Sequence, residues 1–307
     1  MADISELFEN NRTEVWSPGV PAWVTACFSE TPMQVASVGP VQILWVEAEE
    51  HLFVRSRVLR GAPLDPGEVG SCYAAAVDMA TSRGLHPVRF WNYVPGITRG
   101  HREGRCGYEV FNAARFSFFR RWQQDCDLRS WLMPATAVDP GAEVFTLDLF
   151  AAAARGTPVD NGRQIPAFDY SKRYGPVPPA FSRAIRLDAP EHQGLPHTIV
   201  AGTASIVGED SVHAGDLLSQ LAETGRNLAA VASASRGERS DSEEARRCAL
   251  GRYESLRVYL RRVEDVDPLL QWVDETFPAS PVCEILRADL CRPDLLVEIE
   301  GVVGCAG

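Results

Sequence analysis

Lysine is nearly absent from this 307-residue chain: Lys172 is the single one among 30 basic residues, the rest being arginine. That imbalance reads most simply as GC-rich coding bias. Positive charge is short overall, with 41 acidic residues and a formal net charge of -11. A groove for nucleic acid or a face for an anionic membrane needs a dense basic patch, so both are disfavoured and the expected partner is a small molecule. If that molecule is an anion, a few arginines focused inside a pocket must overcome the global field. No run of roughly 18 apolar residues offers a membrane span, and Met1–Glu9 lacks the basic and apolar regions of a secretory signal, so a cytoplasmic protein is expected. Cys27, Cys72, Cys106, Cys126, Cys248, Cys283, Cys291 and Cys305 include no CxxC pair. They read as free thiols in a reducing compartment. There is no GxGxxG after a strand, no P-loop, no HExxH and no GxSxG. His51, His86, His101, His192, His197 and His213 show no metal-ligand spacing. No cofactor, metal or flavin is therefore expected, which leaves acid/base chemistry.

Residues 1–34, with Pro18, Pro21 and Pro32, read as an extended leader. The apolar run Val41–Glu47 suits a buried strand, Gly70–Arg83 a helix ended by Gly84, and Val88–Val94 a strand stopped by Pro95-Gly96. Gly107–Trp122 has helical spacing, and Glu143–Leu149 reads as another strand. Residues 155–180 are rich in Gly, Pro, Asp and Asn and read as a connecting segment. The second half repeats the order of the first: strands over 181–187 and 197–207, a helix over 214–234, a charged serine-rich surface segment over 236–244, a strand over 255–263, a helix over 266–277, and two last strands over 282–288 and 295–303. The expected fold is α+β, two similar lobes of mixed β-sheet with helices packed on one face, spanning residues 35–154 and 181–307.

In Leu295-Leu-Val-Glu-Ile-Glu300, the carboxylates Glu298 and Glu300 share one strand face while Val297 and Ile299 fill the other. The pattern fits an outward, solvated face. It fits equally a buried pair whose proton affinity is raised toward values useful for proton transfer. Cys291 lacks a histidine partner nearby in sequence and reads as a pocket wall rather than a nucleophile. Clamps for a dicarboxylate are sought among Arg115, Arg120, Arg121, Arg173 and Arg183. Phenol donors are sought among Tyr108, Tyr170 and Tyr174, whose commoner role is packing.

Phe181-Ser-Arg-Ala-Ile, Ile199-Val-Ala-Gly-Thr-Ala-Ser205, Thr224-Gly-Arg-Asn227 and the closing Val-Glu-Ile-Glu strand resemble the YjgF/RidA (chorismate-mutase-like) fold. Arg89-Phe-Trp-Asn-Tyr-Val-Pro-Gly-Ile97, Gly107-Tyr-Glu-Val-Phe-Asn-Ala-Ala-Arg115 and Tyr174-Gly-Pro-Val-Pro-Pro-Ala-Phe181 resemble the chorismatases, which couple a divergent lobe of that fold to a RidA-like one. The resemblance covers residues 35–303. It implies release of pyruvate from chorismate without a cofactor, supplying a starter unit for secondary metabolism. It makes Glu298 the catalytic carboxylate and places Ala204 and Cys291 where side-chain identity helps decide the ring product. Alanine with an aliphatic residue resembles the hydrolytic branch, and glycine with cysteine the 3-hydroxybenzoate branch; this chain carries alanine with cysteine, and Cys291 tilts the reading toward 3-hydroxybenzoate. The imine deaminases of the RidA fold carry a substrate-binding arginine where this chain has Ser280-Pro281, which disfavours imine hydrolysis.

On this reading Glu298 donates a proton to the enol ether, with Tyr108, Arg115, Tyr170 and Arg183 binding substrate. Two other classes stay open at this point: a deaminase releasing ammonia, and a ligand-binding module without catalysis. Two fused lobes supply each other's neighbour, so a monomer is the expected state.

Overall fold

A computed structural model describes residues 19–28, 31–59, 64–100, 104–123, 127–188 and 194–305. His101, Cys126 and His192 lie outside the described residues, as do residues 1–18 of the expected leader.

The rest of that leader is not extended throughout. Helix α1 (Ala22–Thr25) runs into a 3-10 turn at Ala26–Phe28. Pro21 sets the turn's entry, and Val24 and Phe28, four residues apart, fall on one face and are buried. Burial of that face outweighs the extended bias of a proline-rich stretch.

Strands β1 (Gln34–Val38), β2 (Val41–Glu47) and β3 (His51–Val58) form an antiparallel meander. Helix α2 (Pro66–Thr81) starts on Asp65, whose carboxylate accepts the amides of Gly67 and Glu68, and leads to β4 (His86–Tyr93). Helix α3 (Gly107–Trp122) crosses to β5 (Ala135–Asp139), parallel to β4, and β6 (Thr146–Ala152) inserts antiparallel between β3 and β4. β7 (Gly156–Val159) opens the segment expected as a pure connection and is an edge strand of the second sheet. β8 (Ala184–Leu187) and β9 (Thr198–Ala204) follow, then the small hairpin β10 (Ile206–Val207) and β11 (Asp210–Ser211). Helix α4 (Leu217–Ala234) is capped by Asp216. Helix α5 (Glu243–Leu250) lies just beyond the segment read as charged surface: Ser242 caps it, and among its residues only Ala249 and Leu250 are buried, so its sequence carries little apolar period. β12 (Tyr253–Leu260), helix α6 (Val266–Thr276) and β13 (Val282–Arg287) form a second parallel crossover. The two-residue strand β14 (Asp289–Leu290) returns to β5, and β15 (Val297–Val303) inserts between β9 and β12.

The sheet orders are β1-β2-β3-β6-β4-β5-β14 and β13-β12-β15-β9-β8-β7. In each, a central strand, β6 or β15, comes last among the major strands of its half and is flanked by two strands joined through a helical crossover. The expected repeat of element order is therefore a repeat of topology. One apolar cluster packs α2 and α3 on the first sheet, another packs α4 and α6 on the second, and a third, with Trp91, Phe150, Ile199 and Val302, fills the space between the sheets. Helices thus cover the outer face of each sheet and the inner faces meet. No helix among the described residues is long and apolar enough to cross a membrane.

Candidate active site

The period-two pattern of β15 sends Val297, Ile299 and Val303 to the helix side, and Glu298 and Glu300 to the space between the sheets. Both carboxylates are buried, 5% and 3% exposed, so the solvated-face reading of this strand fails. Opposite them, β4 turns Arg89, Trp91 and Tyr93 inward by the same alternation.

The two acids are treated differently. Glu300 accepts from Arg89 Nη2, Trp91 Nε1 and Thr136 Oγ1, each at 2.6 Å, and from Tyr259 at 3.3 Å. Glu298 makes no hydrogen bond to protein among the described residues. Burial pushes its carboxyl up to about 8, the neighbouring Glu300 charge adds to the rise, and Arg89, Arg183 and Arg292 oppose it. At pH 7 such a group is about nine-tenths protonated. Gly202 on β9 lies directly beneath it: a Cβ there would overlap the Glu298 carboxyl and come within 3.0 Å of Thr136 Oγ1. The glycine serves close approach here, not an unusual backbone angle.

Glu298 lies in the wall of a cleft of about 560 Å³ counted to its open mouth. That volume is in the range of small-ligand sites. Tyr108 and Arg115 reach the cleft from α3, Ala135, Thr136 and Ala137 from β5, Tyr170, Phe181 and Arg183 from the chain before β8, and Cys291, Arg292 and Leu295 from the loop between β14 and β15.

Three of these side chains are buried arginines that make no salt bridge among the described residues, although the Arg183 charge acts on Asp160. Arg115 gives Nη2 to the Ala180 carbonyl at 2.6 Å while its Nε has no acceptor, and burial lowers its proton affinity. Arg183 gives Nη2 to Ile165 O and to Tyr170 Oη at 2.7 Å, and its Nε is likewise unsatisfied. Arg292 donates to Glu209 O and Ser211 Oγ and lies 3.8 Å from the Tyr174 ring centroid. Buried cations without counter-ions are costly, and a ligand carrying carboxylates would supply what the fold withholds. Cys291 keeps its proton, because desolvation and then the Glu298 carboxylate push its thiol up to about 12. A neutral thiol of this kind is a wall, not a nucleophile.

Tyr108, Arg115, Tyr170, Arg183, Ala204, Cys291 and Glu298, named from sequence, all line this one cleft. Arg120, Arg121 and Arg173 do not. The first two lie on the outer side of α3, and Arg173 pairs with Glu209 and Asp210 at the surface. Arg89, Thr136, Gly202 and Arg292 escaped the sequence reading. Arg89 and Trp91 alternate along β4 as Glu298 and Glu300 do along β15, and that matching period was the available signal.

Residues 28–148 match the family model described as chorismatase FkbO/Hyg5-like, N-terminal. The chain is 34% identical over 218 residues to the 3-hydroxybenzoate synthase of Streptomyces hygroscopicus, covering 70% of this chain and 62% of that protein. It is 32% identical over 268 residues to the chorismatase of Streptomyces rapamycinicus, covering 85% of this chain and 77% of that one. The chain therefore spans less than two-thirds of the synthase's length. A crystal structure of a chorismatase superposes with a TM-score of 0.75 at 27% identity, covering 89% of this chain and 80% of the other.

Proposed function

The chain belongs to the chorismatase family, and from that premise and the cleft we propose that it cleaves the enolpyruvyl ether of chorismate, giving pyruvate and 3-hydroxybenzoate. The observation that carries this reading is a buried carboxyl, Glu298, that makes no hydrogen bond among the described residues and lies in a cleft with three buried arginines that make no ion pair there.

Chorismate brings two carboxylates and an enol ether. Arg115, Arg183 and Arg292 hold the carboxylates, with Tyr108 and Tyr170 as phenol donors beside them. Glu298 delivers its proton to the terminal methylene carbon of the enolpyruvyl group, which turns the ether carbon into an oxocarbenium ion. Attack there by one admitted water, with collapse of the hemiketal, would release pyruvate and a dihydroxycyclohexadiene carboxylate. Attack by the ring C4 hydroxyl instead closes a cyclic ketal; the C4–O bond then breaks, Glu298 takes back a proton from C3 as the ring aromatises, and the old ether bond opens on the pyruvyl side, so that the ether oxygen stays on C3 as the phenol, the C4 oxygen leaves as the pyruvate ketone, and no water is consumed. Cys291 in the cleft wall is the feature that favours the second course. Ala204 is the feature that favours the first.

A lactate-dehydrogenase-coupled assay for pyruvate, followed by chromatography of the ring product, tests the proposal. Ammonia release from imines, or ligand binding without turnover, would overturn it; a dihydroxycyclohexadiene carboxylate would keep chorismate cleavage and correct the product.

Because Glu298 must be protonated to act, kcat/KM should be flat below about pH 8 and fall as pH rises through that value. Bound chorismate neutralises Arg183 and Arg292, which otherwise depress Glu298, so the alkaline limb of kcat should lie at higher pH than that of kcat/KM. Coincident limbs would separate the arginines from the substrate carboxylates.

Arg183→Gln removes a charged donor from the cleft and should raise KM by about 10-fold or more, with a smaller change in kcat. Steady-state pyruvate release reads both, and an unchanged KM would remove Arg183 from the binding wall.

A further inference from the structure

We infer that Thr136 is a positioning residue that decides which of the two carboxyls on β15 carries the catalytic proton; the inference rests on the reading of Glu298 as the acid. Thr136 lies on β5, 1% exposed, across the sheet interface from β15. Its hydroxyl faces two groups that can only donate. Arg89 Nη2 points at Oγ1 from 2.5 Å and the Gly202 amide from 3.1 Å. A hydroxyl has one proton to give, and with both donors in place it can go in one direction only, to Glu300 Oε2 at 2.6 Å.

The consequence passes to Glu300. Its Oε2 must accept from Thr136 and from Arg89, and its Oε1 from Trp91 Nε1. Arg89 and Trp91 are obligate donors and Tyr259 adds a fourth contact at 3.3 Å, so protonating Glu300 would forfeit the charge-assisted strength of all of these bonds. Glu298, with no protein hydrogen bond among the described residues, has no such loss and takes the proton. The hydroxyl is itself fixed, since Asn92 Nδ2 holds the Thr136 carbonyl at 2.9 Å and Tyr73 holds Asn92 at 2.5 Å. The other ionisable groups around the pair are Arg183, Arg292 and Cys291 on the Glu298 side, and Tyr93, Arg257 and Tyr259 on the Glu300 side. None of them bonds both carboxyls.

Thr136→Val keeps the shape and removes the hydroxyl. It takes from Glu300 Oε2 one donor that stabilises the ionised form, and so makes a proton on Glu300 less costly. A charge-assisted hydrogen bond biases such a distribution by about 10- to 100-fold, so the kcat plateau should fall by roughly 10-fold, and Thr136→Ser should restore it. Loss of a stabiliser of ionised Glu300 cannot lower the proton affinity of the pair, so the alkaline limb should stay or move up, never down.

Infrared difference spectra give a reading that needs no substrate. In the full-length protein at pH 7, the neutral-carboxyl band removed by Glu298→Gln should be strong, and in the Thr136→Val background the same substitution should remove at most half as much. A full band, or an unchanged kcat plateau, or a limb moved to lower pH, overturns the assignment. If Thr136→Val does not fold, Thr136→Ala is read in the same way. Should the wild type release no pyruvate from chorismate, the functional reading falls, while the infrared comparison still decides where the proton resides.

Discussion

Replacing Glu298 by glutamine should abolish pyruvate release, by about 10²- to 10⁴-fold, while leaving the fold intact. Glutamine has the size of glutamate and the neutrality that the buried carboxyl already has below about pH 8, so the substitution breaks no ion pair and leaves no new charge in the interior. Near the ordinary carboxyl range the two proteins should melt almost alike, and by pH 7 the variant should already be the more stable of the two. The sign follows from linkage. Glu298 has a higher proton affinity folded than unfolded, so at pH values between the ordinary carboxyl range and about 8 folding takes up a proton, and stability drains away as pH rises through that window. The amide does not titrate and escapes that loss. Pyruvate release measured beside circular dichroism melts at pH 5 and pH 8, between which the gap should widen, checks both halves; near-normal turnover would remove Glu298 from the chemistry.

Gly202→Ala should do nearly as much damage from the neighbouring strand. The added methyl would occupy the place of the Glu298 carboxyl and press on Thr136, and β9 is held by β8 on one side and β15 on the other, so the backbone has little room to yield. Glu298 has to swing away. A displaced acid costs on the order of 100-fold in kcat, and overpacking costs about 1–3 kcal/mol of stability. Turnover and chemical denaturation measured on the same preparation distinguish the two effects. A variant with wild-type kcat would mean that the carboxyl reaches the substrate from some other position.

Much of this was visible in the order of the residues. The Val-Glu-Ile-Glu alternation placed two carboxylates on one strand face because a strand has no other period to offer. The helix over 107–122 was legible to both ends because its Tyr, Phe and Arg residues recur at helical spacing. What stayed hidden was which side of each element meets which side of another. Arg115 lies one helical turn from both Phe111 and Phe119 and shares their buried face, whereas Arg120 and Arg121 fall out of that phase. No local pattern marks the difference among three arginines in a charged stretch. Arg89 and Glu300 are separated by more than half the chain, and nothing near either announces the other. Thr136 and Gly202 carry no chemistry of their own that would single them out; they matter through a lone hydroxyl proton and a missing methyl. The leader was misread for the opposite reason: its composition spoke for extended chain, and a few apolar contacts of Val24 and Phe28 overruled it. The segment over 236–244 is largely exposed, as its charge suggested, and α5 went unread because only Ala249 and Leu250 of it are buried.

Asp148 lies on β6, the central strand that corresponds in topology to β15, and also faces the space between the sheets. Arg55 closes on both of its oxygens at 2.7 Å. Of the two central strands, one therefore carries a spent carboxylate and the other a live one. Two identical halves about a twofold axis would have to preserve every proton-transfer contact twice, and any drift in one copy would be repeated in the other. Two halves in one chain carry no such obligation. The first can present a wall of aromatic and arginine side chains, and the two halves are alike in the path of their strands without being alike in their residues.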